Sequence, residues 1–291
     1  MMYELWSERE GLNLPFQYDV IPEKCRNQFS SLIDDYLSRS NSKVSIDLMD
    51  CIYRKVVLNV GLPFPSMIVR YDLQELYKAT IHLSDADYKD YIEVICHLMQ
   101  EFSEDDFDID YLTFNDNVST ILRKNGVGYR ILDSKLIKII DEKEFDLIIK
   151  PAFIILKTNE FDEAYNQAIV AFEHYGRGDN TSCLVEMNKS FETTIRIIYQ
   201  KMGLSYNKDA KMQIKISTLM DNGLIPHYLQ SYFNTFSSIL SSFAVIRNQI
   251  AAHSKKESTV ISDTLTQYMI DQAMSGILFL VRSWADFSHS H

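Results

Sequence analysis

Between Phe161 and Phe287 apolar side chains recur every three or four residues in five successive stretches, the period that lets an α-helix bury one face. The first spans about Phe161–Tyr175 and stops at Gly176-Arg177-Gly178. The second starts after Asp179 or Asn180, carries Leu184, Met187, Phe191, Ile195, Ile198 and Met202 on one stripe, and ends at Gly203. A third occupies roughly Asp209–Met220 and stops at Asn222-Gly223. After Pro226 a long pattern runs through Tyr228, Phe233, Phe236, Ile239, Leu240, Phe243 and Ile246, and the last stretch, about Asp263–Phe287, is apolar on a broad face. Segments of this kind bury their stripes against one another, so an all-α bundle of four or five helices is expected over 151–291.

The N-terminal part reads as a separate, mainly helical domain over 1–150. Pro22 followed by Glu23 suits a first helical turn ahead of Phe29, Leu32, Ile33, Tyr36 and Leu37. Asp47 is a candidate cap for a helix carrying Met49, Ile52, Tyr53 and Val56, closed by Gly61-Leu62-Pro63. Ser84 with Asp87 opens another helix through Tyr88, Tyr91, Ile95 and Met99. Near the junction the pattern changes: GVGYRIL, a polar Asp133-Ser134-Lys135 break and LIKII predict a small β-hairpin. Asp141 then begins a helical stretch that Pro151 is expected to interrupt.

Charge is distributed unevenly. The whole chain carries −11, but residues 1–150 hold 17 basic and 27 acidic side chains, against 12 and 13 in 151–291. Within 187–256 nine basic residues face three acids, so an acidic protein can still carry a surface for a polyanion there. Lysines on solvated helix faces explain the same excess equally well. Four scattered cysteines without a CxxC pair, and an opening MMYELWSEREGL without a signal-peptide core, predict a cytoplasmic protein with reduced thiols. The longest apolar run near the C-terminus, Gly276–Val281, is too short to span a bilayer, so no membrane partner is expected.

Several chemistries lack their residues. The sequence has no GxxxxGK[ST] loop, no HExxH and no GxSxG. Asp106, Asp108 and Asp110 imitate the start of a calcium loop, but Tyr111 and Asn117 stand where glycine and glutamate are required. No metal site and no cofactor is expected.

One constellation remains, Arg247-Asn248-Gln249-Ile250-Ala251-Ala252-His253, flanked by Lys255 and Lys256. Histidine exchanges protons near neutral pH, and arginine grips phosphate through a planar fork. Together they can cleave RNA without a metal, histidine moving a proton at the ribose 2′-hydroxyl or the leaving 5′-oxygen while arginine steadies the phosphorane. The products are a 2′,3′-cyclic phosphate and a 5′-hydroxyl, and DNA, lacking the 2′-hydroxyl, is spared. On a straight helix Arg247 and His253 stand about 120° apart. They converge only if the helix ends near Ala251–Ala252 or if a second subunit supplies the partner group. By spacing alone, such a pair is more often a surface arginine and an unrelated histidine.

RNQIAAH resembles the signature of HEPN-domain ribonucleases, and Asn248 fills their polar slot. The order FETTIRIIYQKMGLSY, DNGLIPHYLQSYF, VIRNQIAAHS resembles the C-terminal part of abortive-infection proteins of the AbiJ-like type, and YDVIPEKCRNQF with NGVGYRI and KPAFIIL resembles the N-terminal domain of the same family. The resemblance implies a C-terminal HEPN-type helical bundle and a homodimer whose Arg/His sets face each other. Arg247 would orient the phosphate, His253 act as acid or base, and Asn248 hold His253 in place. Lys189, Glu192, Lys255 and Lys256 would give polar support to the substrate, a tRNA or messenger RNA cut during phage infection, although an exposed i,i+3 ion pair accounts for Lys189 and Glu192 at least as well. A toxin of that kind needs restraint, which makes the acidic N-terminal domain a sensor or regulator answering a phage-derived trigger or a cognate regulatory protein. Lys255 stands where some relatives carry a modifiable tyrosine. The alternative is a HEPN-type module without catalysis that dimerises or binds RNA or protein.

Overall fold

The computed structural model describes residues 16–39, 42–60, 73–104, 110–235, 238 and 261–290. The chain falls into two compact units, Met1–Ile140 and Asp141–His291, both mainly helical.

The first unit contains α1 (Glu23–Arg39), α2 (Ser42–Val60), α3 (Leu73–Thr80), α4 (Asp85–Glu104), α5 (Tyr111–Lys124) and a hairpin of β1 (Tyr129–Leu132) and β2 (Lys135–Lys138). The α1 stripe buries Phe29, Leu32 and Ile33, and Phe29 sits edge-on to Tyr88 and Tyr91 with ring centroids 6.3 and 5.6 Å away. Arg26 ties this core together. Its guanidinium donates to the carbonyls of Ile21, Ile81 and Leu83 and to Asp85 Oδ1 at 2.8 Å. Burial alone would raise the Asp85 carboxyl, but the Ile21 N–H and Arg26 outweigh it and hold that group below its ordinary value. Ser84 and Asp87 bond reciprocally at the start of α4, as their spacing predicts. Asp47 is not a cap: α2 already begins at Ser42, so Asp47 stands inside the helix.

The hairpin forms where the sequence places it. Asp133 and Ser134 both adopt positive φ, 47° and 63°, the two-residue turn whose twist matches paired antiparallel strands. Gln17 pairs alongside its first residues, its N–H donating to Gly126 O at 2.9 Å while its own carbonyl accepts from Gly128 N at 3.0 Å. Gly128 leaves no room for a side chain here unless its neighbours shift, because a Cβ would stand 2.2 Å from Tyr18 Cε1.

The second unit starts at Asp141, whose carboxylate accepts from Glu144 N and caps α6 (Glu142–Glu144). Pro151 does not interrupt the helix that follows. A π turn, Phe145–Ile149, precedes α7 (Lys150–Thr158), and proline sits in the first turn of α7, where its missing N–H and its bulk cost least. Next come α8 (Asp162–Gly176), α9 (Asn180–Lys201), α10 (Met212–Asp221) and α11 (Asp263–Ser290). The glycine stops are real: Gly178, Gly203 and Gly223 all have positive φ. Helix α10 begins three residues later than expected, since the Asp209 N–H bonds Asn207 Oδ1 in a local turn and Lys211 becomes the cap position. The core of this unit is built from Phe153, Phe172, Phe191, Ile195, Ile277 and Val281, all buried. Ser190 Oγ donates to Ala164 O at 2.7 Å and closes α8 onto α9.

Candidate functional site

The Arg247–His253 heptapeptide, with Lys255 and Lys256, lies outside the described residues. After Pro226 comes a single 3₁₀ turn, His227–Leu229, and residues 230–235 are helical. Phe233 is 2% exposed and packs on Phe279 of α11 at a centroid distance of 5.4 Å. On the far side Ile261 is buried, and its carbonyl accepts from Asn180 Nδ2 at 2.8 Å. The same amide donates to Asp263 Oδ1 at 2.8 Å. Phe279 and Asp263 are sixteen residues apart on α11, roughly 24 Å at 1.5 Å per residue. Phe233 and Ile261, the described residues that bracket the heptapeptide in sequence, are thus anchored near two points of one long helix, its first turn and a position sixteen residues on.

Asn180 serves here because Asp179 takes the capping role, its carboxylate accepting from Ser182 N. That hydrogen bond, followed by the nearby His174, lowers the Asp179 carboxyl below its ordinary range. Asn180 itself is then available to reach α11.

Lys189 and Glu192 both lie on the exposed side of α9, away from the stripe that buries Met187 and Phe191. They do not pair with each other. Lys189 Nζ meets Glu186 at 2.5 Å, and Glu192 accepts from Asn188 Nδ2 at 3.1 Å. Two further cations of the basic stretch are matched by acids on or beside α8: Arg196 pairs with Glu163 at 2.5 Å and Lys201 with Glu160 at 3.2 Å. Lys208, Lys211 and Lys215 have no acidic partner among the described residues.

A cluster that sequence spacing does not announce joins α6 to α11. Gln267 Nε2 donates to Asp271 Oδ1 at 2.6 Å and approaches Glu144 Oε2 at 3.4 Å. Burial, and then the adjoining Glu144 carboxylate, push Asp271 up to about 8. Its only sequence trace is Gln267 and Asp271 at i,i+4 on a helix that otherwise reads apolar.

The four cysteines are free, and burial pushes the Cys25 and Cys183 thiols up to about 12, the opposite of what a nucleophile needs. Among the described residues no group of three or more His, Cys, Asp or Glu side chains is placed to hold a metal ion. No described helix is long and apolar enough to cross a membrane.

A family model for a HEPN-like domain matches residues 162–284, and one for AbiJ N-terminal domain 4 matches residues 4–153, just over half of the chain. The chain belongs to the AbiJ-like HEPN family of abortive-infection proteins. No curated protein and no solved structure matches it.

Proposed function

We propose that the protein is a metal-independent endoribonuclease, the toxic effector of a bacterial anti-phage abortive-infection system. One observation carries this reading: the HEPN-like match at 162–284 encloses Arg247, Asn248 and His253, a phosphate-gripping cation and a proton-exchanging imidazole of the types that cleavage by 2′-hydroxyl attack can use. Arg247 holds the scissile phosphate and stabilises its extra charge. His253 moves the proton. Asn248 fixes the histidine ring, a positioning role. Two copies of the chain supply a shared cleft, which removes the 120° separation that one straight helix would impose. Lys189, Glu192, Lys255 and Lys256 support the RNA around that cleft.

In this account residues 1–150 form a sensor or regulatory domain that answers a phage-derived trigger or a cognate regulatory protein, and the complex works in the cytoplasm without a cofactor. Growth on induction tests the reading. Wild-type protein should arrest a bacterial host and fragment its tRNA or messenger RNA, and Arg247→Ala should do neither at equal protein level. Arrest by the Arg247→Ala variant would overturn the proposal in favour of a module that acts by binding alone.

A further inference from the structure

The basic stretch of the second unit separates into two kinds of cation. Lys189, Arg196 and Lys201 have their charge matched by Glu186, Glu163 and Glu160. The three lysines of the loop and first turn leading into α10 are not matched: among residues 206–215 only Asp209 is acidic. Lys208 and Lys211 are exposed. Lys215 differs, being only 5% exposed, with its ammonium 3.1 Å from Lys208 O and 4.7 Å above the Tyr206 ring.

A lysine is seldom buried without a carboxylate, because desolvating the ammonium is costly. Here the carbonyl and the ring face offset part of that cost, and the charge is fixed in place where a surface lysine's would swing freely. The scaffold beneath it is rigid. Tyr206 stands edge-on to Tyr199 at 5.4 Å, and Tyr199 Oη donates to Lys215 O at 2.6 Å. The cap position of α10 is Lys211, which offers no side-chain acceptor, whereas the caps of α5 and α9 are aspartates. The positive end of the α10 dipole therefore adds to the lysine field and is not cancelled by a carboxylate.

We propose that residues 206–215 form an RNA-backbone docking surface separate from the Arg247–His253 centre, in which Lys208 and Lys211 contact phosphates and Lys215, held by Tyr206, fixes the positive potential between them. The inference rests on the ribonuclease reading and extends it. It assigns the grip on the RNA strand to residues that take no part in breaking the bond. Phosphate contacts position a nucleic acid without selecting its bases, so this surface contributes affinity and not sequence preference.

The test uses the full chain carrying His253→Ala, which keeps the RNA intact, and a fluorescein-labelled unstructured RNA of about 20 nucleotides, followed by anisotropy between 0.05 and 0.2 M KCl. Each phosphate contact to a single strand contributes about 0.7 to the slope of log affinity against log salt. Adding Lys208→Gln and Lys211→Gln should lower that slope by about 1.4 and weaken binding about 25-fold at 0.1 M salt, with an unchanged thermal midpoint. In an otherwise wild-type chain the same pair should leave cleavage of a dinucleotide unaltered, as expected of lysines that take no part in breaking the bond. Equal affinity and slope with and without the two substitutions overturn the inference and leave the ribonuclease reading standing. Loss of dinucleotide cleavage also overturns it, since the lysines would then belong to the catalytic centre. Absence of RNA binding in the His253→Ala parent, together with absence of cleavage by wild type, removes both.

Discussion

Asn180 Nδ2 donates to the carbonyl of Ile261 and to the carboxylate of Asp263, both at 2.8 Å, and so fastens the first turn of α9 to the first turn of α11. The contact spans 81 residues and sits where the chain returns from the heptapeptide. Replacing Asn180 with alanine leaves the buried Ile261 carbonyl without its donor, at a cost of about 1–3 kcal/mol. Urea unfolding should show that loss. If the anchored end sets the position of the heptapeptide, RNA cleavage should fall further than the change in folded fraction explains. A variant as stable and as active as wild type would show that the tie is dispensable.

Asp271 predicts a pH dependence. Its folded value of about 8 exceeds its ordinary 3.8, so the folded chain holds a proton that the unfolded chain releases. The stability this brings is complete below about pH 4 and declines as pH rises towards and through 8. Asp271→Asn removes the titration and should flatten that decline. Denaturation midpoints of the two proteins at pH 5, 7 and 9 test this, and parallel curves would refute it.

Gly128→Ala should destabilise the first unit by about 1–3 kcal/mol, the range for forcing an extra group into a packed site. The new methyl would meet Tyr18 Cε1 at 2.2 Å and Phe16 Cβ at 2.9 Å. A wild-type unfolding midpoint would mean that Tyr18 swings aside without cost, although its hydroxyl donates to Ile139 O at 2.9 Å.

The features legible in the sequence are local. Gly178, Gly203 and Gly223 mark helix ends because each takes a left-handed conformation that a side chain resists, and Asp133-Ser134 marks the hairpin for a related reason. Errors arose where two local signals competed. The apolar period starts the third helix near Asp209, yet a local turn between Asp209 and Asn207 delays α10 to Met212. Pro151 looked like a break, yet the π turn before it absorbs the misfit. Charge was legible only as a total. The acids that match Arg196 and Lys201 lie 33 and 41 residues earlier, so spacing could not separate paired cations from the unpaired lysines of 206–215. Glu144 and Asp271 are likewise joined only by the packing of α6 against α11. The heptapeptide is ambiguous by residue types and spacing alone, and what singles it out is its resemblance to the HEPN ribonuclease signature.

Arg247 and His253 carry the proposed cleavage of RNA. The most direct test incubates purified wild-type and His253→Ala protein with total tRNA and a generic messenger RNA in EDTA, then resolves fragments and their end groups. Wild type alone should cleave, with a bell-shaped pH profile and fragments ending in 2′,3′-cyclic phosphate and 5′-hydroxyl. Undiminished cleavage by His253→Ala, or wild-type products ending in a 3′-hydroxyl and 5′-phosphate, would contradict it.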